Sequence, residues 1–396
     1  MLCIDFALFI PVYLFGIFAS LLPGLHPNSI GALLNPWLSS WPDWPFMLVA
    51  LLGIRIALQF LPSILVGTPA GETGLGMLPG ARMMKEGRGL EALMICACAV
   101  VIATLAALAL SPFLLPLFPS LFMIIKPWVG YLLVIASAVL ICSEGEVKKA
   151  GYALLIFALA AALGLLTLNL PLLDPLFCLF VGFFTLPMLF SPHRLVKPRQ
   201  KKTDSFPSVS LSLLPFIALG LCLGGLSDLL PGLSTPSQVA AIATLIVPLS
   251  APAHYLALVA SIEASHTAFA FSSAASAGVA RVGVVAMAEQ MTPISMQSLP
   301  VYLGTYALSV GIGAAALLIL GRWLIPRWSK LDWPALSRLI GLYLILIILL
   351  NDGLLGLIVL ACATLLGLLT LRLSVRRTHV MGALIGPAIL NAFGLI

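Results

Sequence analysis

The chain has 396 residues, of which 61% are hydrophobic and only 9% charged. A soluble domain carries about 25% charged residues, so there is too little charge here to cover a water-facing surface, and the composition excludes a soluble enzyme. The net charge of +6 fits the basic loops that a membrane protein collects on its cytoplasmic side rather than a surface for nucleic acid.

Apolar runs of about 20 residues recur along the chain, the length a bilayer requires of a helix, and each satisfies its backbone internally when helical. The alternating pattern of barrel strands is absent. The expected fold class is an all-α polytopic membrane protein with about 10 to 12 transmembrane segments. The seven cysteines fall almost entirely inside apolar stretches. They read as small core residues rather than disulfides or metal ligands.

The N-terminal run MLCIDFALFIPVYLFGIFAS lacks a basic leader region and reads as the first span rather than a cleaved signal. It is interrupted at Pro23-Gly24 and followed by Asn28 and Ser29. Proline removes a backbone donor and blocks the preceding turn, so residues 24–40 are expected to form a re-entrant hairpin or a broken helix. In the next run, LVALLGIRIALQFL, Arg55 stands near the middle. A charge at mid-bilayer costs on the order of 3 kcal/mol, and a central position favours pairing with substrate or a carboxylate over snorkelling.

The stretch from Leu65 to Leu93, LVGTPAGETGLGMLPGARMMKEGRGLEAL, holds Thr68, Glu72 and Thr73 among glycines. It is too poor in apolar residues to span and too rich in them for an ordinary loop, and it lacks the spacing of a phosphate-binding loop. Basic loops then set a topology by the positive-inside rule. Two passages, 89–112 and 113–142, lie between Arg88 and Lys148, and two more, 150–171 and 172–192, lie between Lys149 and Arg194. The segment 191–205, SPHRLVKPRQKKTDS, is the most polar of the chain. It is expected to be a cytoplasmic linker dividing repeat one, 1–190, from repeat two, 206–396.

In the second half, GGLSDLLPGLSTPSQVA repeats the first break. Pro231-Gly232 stands 208 positions after Pro23-Gly24, with Asp228 before it and Ser234, Thr235 and Ser237 after it. Residues 233–251 are expected to mirror 24–40. IEASHTAFAFSSAASAG follows, with Glu263, His266 and Thr267. Its small hydroxyl residues suit close helix contacts and ion ligation equally. An alignment at an offset of 199 pairs Ala81-Arg82 with Ala280-Arg281 and Thr68 with Thr267. Near the C-terminus, 339–351 and 353–371 are read as two passages joined by an outer turn at Asn351-Asp352-Gly353, and 380–396 as a last run.

If each half makes an odd number of passages, the two halves are inverted repeats. Broken hydrophobic segments at corresponding positions of two halves point to a transporter binding site. A helix that starts afresh after a break offers free N–H groups and a partial positive charge, which suits a carboxylate or a phosphate. The candidate substrate-binding residues are therefore Pro23, Gly24, Asn28, Ser29, Arg55, Thr68, Thr73, Pro231, Gly232, Ser234, Thr235, Ser237, His266 and Thr267. Glu72, Asp228 and Glu263 are candidates for a coupling Na⁺ or proton. No cofactor or metal site is expected, and no hydrolase or kinase constellation appears.

GIFASLLPGLHPNSIGALL and GTPAGETGLGMLPGARMMKEGRGLEAL resemble the first two motifs of the large membrane subunit (TctA) of tripartite tricarboxylate transporters. In the first, Pro23-Gly24-Leu25 stands for the family's Pro-Gly-Leu. In the second, Pro69 opens the Gly-rich loop and Glu86-Gly87-Arg88 leads into Ala92-Leu93. Leu25-His26-Pro27-Asn28 replaces a Gly-rich sequence, and the chain looks like a shorter, stand-alone archaeal branch. GGLSDLLPGLST is also similar, through Asp228, Pro231, Gly232, Ser234 and Thr235, to a motif of bacterial polyprenyl-phosphate translocases.

Both resemblances imply an anionic group held at paired broken helices. The expected function is ion-coupled secondary transport of a carboxylate-type anion by alternating access in the cell membrane. The alternative is translocation of a lipid-linked phosphate. Expected partners are the small anion or lipid phosphate and membrane lipids, with a homo-oligomer compatible and nucleic acid excluded.

Overall fold

Among the described residues, every regular element is helical. They are 6–22, 25–66, 77–190, 210–229, 239, 251–330 and 333–396 of a computed structural model. The elements in chain order are α1 (Phe6–Leu21), α2 (Pro27–Leu38), α3 (Trp44–Leu58), α4 (Phe60–Val66), α5 (Met77–Lys85), α6 (Gly89–Leu114), α7 (Leu117–Ile125), α8 (Val129–Cys142) and α9 (Val147–Leu168). They continue through α10 (Pro175–Phe180), a π turn at Val181–Thr185, α11 (Leu186–Phe190), α12 (Leu214–Leu229), α13 (Pro252–Ala277), α14 (Gly283–Met291), α15 (Leu299–Leu324), α16 (Trp333–Arg372) and α17 (Gly382–Ala392). Seven of the described helical stretches are long and apolar enough to cross a membrane, and the chain is a multi-pass membrane protein.

The longest stretch is two passages. In α16 the backbone leaves helical geometry at Gly353, with φ 62° and ψ −150°, a region that only glycine occupies without strain. A Cβ on Gly356 would stand 3.0 Å from Ile348 Cγ2. Eight residues of straight helix would separate those positions by about 12 Å, so the chain doubles back at Asn351-Asp352-Gly353, where the sequence had suggested a turn.

Most of the described buried apolar residues fall into two hydrophobic cores, and a small third cluster of Leu258, Val259 and Ile262 lies between α12 and α13. The first gathers α1 to α7 with α12 to α15, from Phe9 to Phe118 and from Leu213 to Ile325. The second gathers α8 to α11 with α16 and α17, from Val129 to Leu186 and from Ile340 to Ile385. Each core therefore draws on both halves of the sequence. Ile125 and Leu336, at the chain's passages from one body to the other, touch both. Within the first body α3 packs along α15 and α13 along α6, and α12 lies against α13. Within the second, α17 lies along α9 and the π turn along α16.

Small residues set these approaches. A Cβ on Gly53 would stand 2.6 Å from Ser309 Cβ and 2.8 Å from the Tyr306 carbonyl, so α3 and α15 meet nearly backbone to backbone. Gly313 meets the carbonyl of Ile54 from the other side.

The elements recur at a nearly constant spacing. α12 begins 208 residues after α1, and both are 16 residues long. α13 begins 208 residues after α3. α6 and α15 are both 26 residues long and start at Gly89 and Leu299. At the same spacing Glu263 stands 208 positions after Arg55.

Candidate functional site

The first break is visible at its edges. α1 ends at Leu21, and α2 restarts at Pro27 with Pro at the first helical position, where its missing N–H costs nothing. His26 caps the new helix, its Nδ1 accepting from the Asn28 N–H at 3.1 Å, so this histidine has a structural role. Pro23 and Gly24 themselves lie outside the described residues.

Three of the residues singled out from sequence converge on this restart. Arg55 is 3% exposed on α3, every residue of which is buried, so it does not snorkel. Its Nη1 donates to the Leu25 carbonyl at 3.3 Å. Ser29, also 3% exposed, donates its hydroxyl to Asp174 Oδ2 at 2.6 Å. Asn28 lies against the start of α14, where a Cβ on Gly283 would stand 2.7 Å from its Nδ2. A buried cation thus donates to the backbone just before the restart, and a hydroxyl in the first turn of α2 holds a carboxylate.

The second break is only partly described. Asp228, one residue before the end of α12, is fully buried. Its Oδ1 is 3.8 Å from Nε2 of His266, which is 3% exposed on α13. That separation exceeds a hydrogen bond, and His266 Nε2 has no hydrogen-bond partner among the described residues. Glu263 is 3% exposed on the same helix.

The Thr267 hydroxyl donates to the Glu263 carbonyl at 3.0 Å. Ser261, Ser265 and Ser276 likewise donate to carbonyls of their own helix, and Ser272 bonds Ser111 of α6 at 3.0 Å. Of the two readings open for these hydroxyls, helix packing accounts for the bonds they make. Thr68, Glu72, Thr73, Pro231, Gly232, Ser234, Thr235 and Ser237 lie outside the described residues.

Sequence reasoning missed Asp174 and Asp352. Asp174 caps α10, its Oδ1 accepting from the Phe177 N–H at 3.1 Å; the pair Asp174-Pro175 is a helix-start signal, but nothing local announces a bond to Ser29. Asp352, at the Gly353 turn, accepts from the N–H groups of Leu173 and Asp174, the latter at 3.3 Å. Cys178 Sγ lies 3.5 Å from its other oxygen.

The tripartite tricarboxylate transporter TctA family model matches residues 6–212. A protein of Methanocaldococcus jannaschii, "Uncharacterized protein MJ1079", is 24% identical over 392 residues, covering 95% of this chain and 96% of its own length. No solved structure matches.

Proposed function

Because the chain belongs to the tripartite tricarboxylate transporter TctA family, we propose that it is an ion-coupled secondary transporter of a carboxylate-type anion, working by alternating access in the cell membrane. Membership makes it a transporter component and not an enzyme; the ion coupling and the substrate class are the proposal. The observation that carries it is the burial of both Arg55 and Ser29 around the restart of α2, Arg55 donating to the Leu25 carbonyl before it and Ser29 standing in its first turn. A buried guanidinium, a hydroxyl donor and the positive end of a helix together suit an anion at membrane depth.

The two halves, 1–190 and 206–396, act as inverted repeats on either side of a cytoplasmic linker. The recurrence of α1, α3 and α6 as α12, α13 and α15 supports this. So does the exchange of partners between them, since α3 packs on α15 and α13 on α6. The second half-site is built from Pro231 to Ser237, with Asp228 and Glu263 taking the coupling proton or Na⁺, together with Glu72 of the Gly-rich loop. The separation of the two larger cores supports a movement of the first body, which carries the restart at α2, against the second.

The test is uptake of radiolabelled citrate and succinate by purified protein in proteoliposomes under imposed Na⁺ or proton gradients. Ser29→Ala, Ser237→Ala and Arg55→Ala abolish gradient-driven uptake while the proteins still insert. Normal uptake in all three removes the site.

A further inference from the structure

The two bodies are joined at the first break by a hydrogen bond that the transport reading leaves unexplained. Ser29 belongs to α2 of the first body, and Asp174 to the loop before α10 of the second. The hydroxyl of Ser29 donates to the Asp174 carboxylate at 2.6 Å, the short length of a charge-assisted O–H···O⁻ bond. Asp174 is held from behind. Its other oxygen accepts from Phe177, and its own N–H is held by Asp352 at the Gly353 turn. Two hairpins of the second body thus aim one carboxylate at the N-terminal turn of α2, the place the transport reading assigns to a substrate carboxylate.

We propose that Asp174 is a built-in competitor and latch: its carboxylate fills the carboxylate subsite at Ser29 and ties the first body to the second until a substrate carboxylate displaces it. The proposal rests on the transport reading and deepens it by naming a group on this chain that substrate replaces. Ser29 exchanges one carboxylate acceptor for another, so the bond lost to Asp174 is regained from the substrate and the exchange is nearly neutral at Ser29 itself. What changes is connectivity, because the new acceptor travels with the first body. A ligand shifts a conformational equilibrium only through a differential interaction with its two states, and a substrate that competes with the latch has one. The loop charges put the 169–174 loop and the Gly353 turn on the face opposite the basic loops, so the latch closes the outer side.

The alternative is that Asp174 simply satisfies a buried hydroxyl, and the two readings differ in the sign of an effect on affinity. Asp174→Asn keeps a side-chain oxygen to cap α10 and removes the charge that competes with substrate. Asp174→Ala removes both.

Succinate and citrate uptake is measured for wild type, Asp174→Asn, Asp174→Ala and Ser29→Ala in proteoliposomes. The latch predicts that KM falls about tenfold in Asp174→Asn, the size of one charge-assisted hydrogen bond relieved of competition. Ser29→Ala removes uptake. An unchanged or raised KM in both Asp174 variants overturns the latch while leaving the transport reading in place. Absence of citrate and succinate uptake by correctly inserted wild type tells against the carboxylate reading, and the latch falls with it.

Discussion

Replacing Gly53 by alanine adds one methyl group at a close backbone approach of the first body. That methyl would sit 2.6 Å from Ser309 Cβ, 2.8 Å from the Tyr306 carbonyl and 3.1 Å from the Val310 N. Carbon–carbon contacts are comfortable at about 3.5 to 4.0 Å, so α15 must retreat by roughly 1 Å, and because two of the three atoms are backbone no rotamer change relieves it. Overpacking of this kind costs about 1–3 kcal/mol, less the fraction of a kcal/mol that alanine gains over glycine inside a helix.

Gly304 and Gly311, on the same α15, have nothing within 4 Å of an added Cβ, so alanine there keeps only the helix-propensity gain. The assay is the thermal midpoint of detergent-purified protein followed by loss of monodisperse elution. Gly53→Ala lowers the midpoint by several degrees, whereas Gly304→Ala and Gly311→Ala leave it unchanged or raise it. Equal losses at Gly53 and Gly304 would refute the claim that α3 and α15 meet backbone to backbone.

Three further outcomes follow from the second body. Gly353→Ala forces a Cβ into glycine-only geometry and costs about 1–3 kcal/mol, read as a lower thermal midpoint; a midpoint equal to wild type counts against the reversal at that residue. Asp352→Ala removes the acceptor that holds Leu173 and Asp174, at about 1.5–3 kcal/mol. Protease sensitivity of the 169–174 loop should rise, and unchanged cleavage speaks against that role.

The third outcome concerns pH. In the loop between α8 and α9, Glu144 accepts from the Arg376 N–H at 2.9 Å and from His379 Nε2 at 2.7 Å. Burial pushes the Glu144 carboxyl up, but these hydrogen bonds together hold it below its ordinary range. Burial pushes His379 below its ordinary value against the upward pull of Glu144. For both groups the unfolded chain binds more protons than the folded one, so stability is present at neutral pH and lost on acidification. His379 accounts for the loss that begins near pH 6.5 and Glu144 for the loss below about pH 4.5. His379→Gln should remove the first and keep the second; parallel pH profiles of the thermal midpoint for the two proteins would refute the assignment.

What the sequence conveyed was local. Pro23-Gly24 and Asn351-Asp352-Gly353 interrupt apolar runs, and the chain breaks or turns beside both. Arg55 stands in the middle of its run and is buried there. What it withheld was long-range. Most helices here are apolar on every side, so hydrophobic periodicity, which tells a surface helix which face to bury, carries little information about partners. Residues 129–186 and 340–385, from different halves, therefore share a core that no pattern announces. Ser29 meets Asp174 across 145 positions for the same reason.

The central claim is that a carboxylate is carried at the first break by Ser29 and Arg55. Gradient-driven uptake of citrate and succinate into proteoliposomes, compared between wild type and Arg55→Ala at equal insertion, tests it most directly. The account predicts saturable uptake by wild type and none by Arg55→Ala. Uptake by Arg55→Ala with wild-type KM and rate would contradict it.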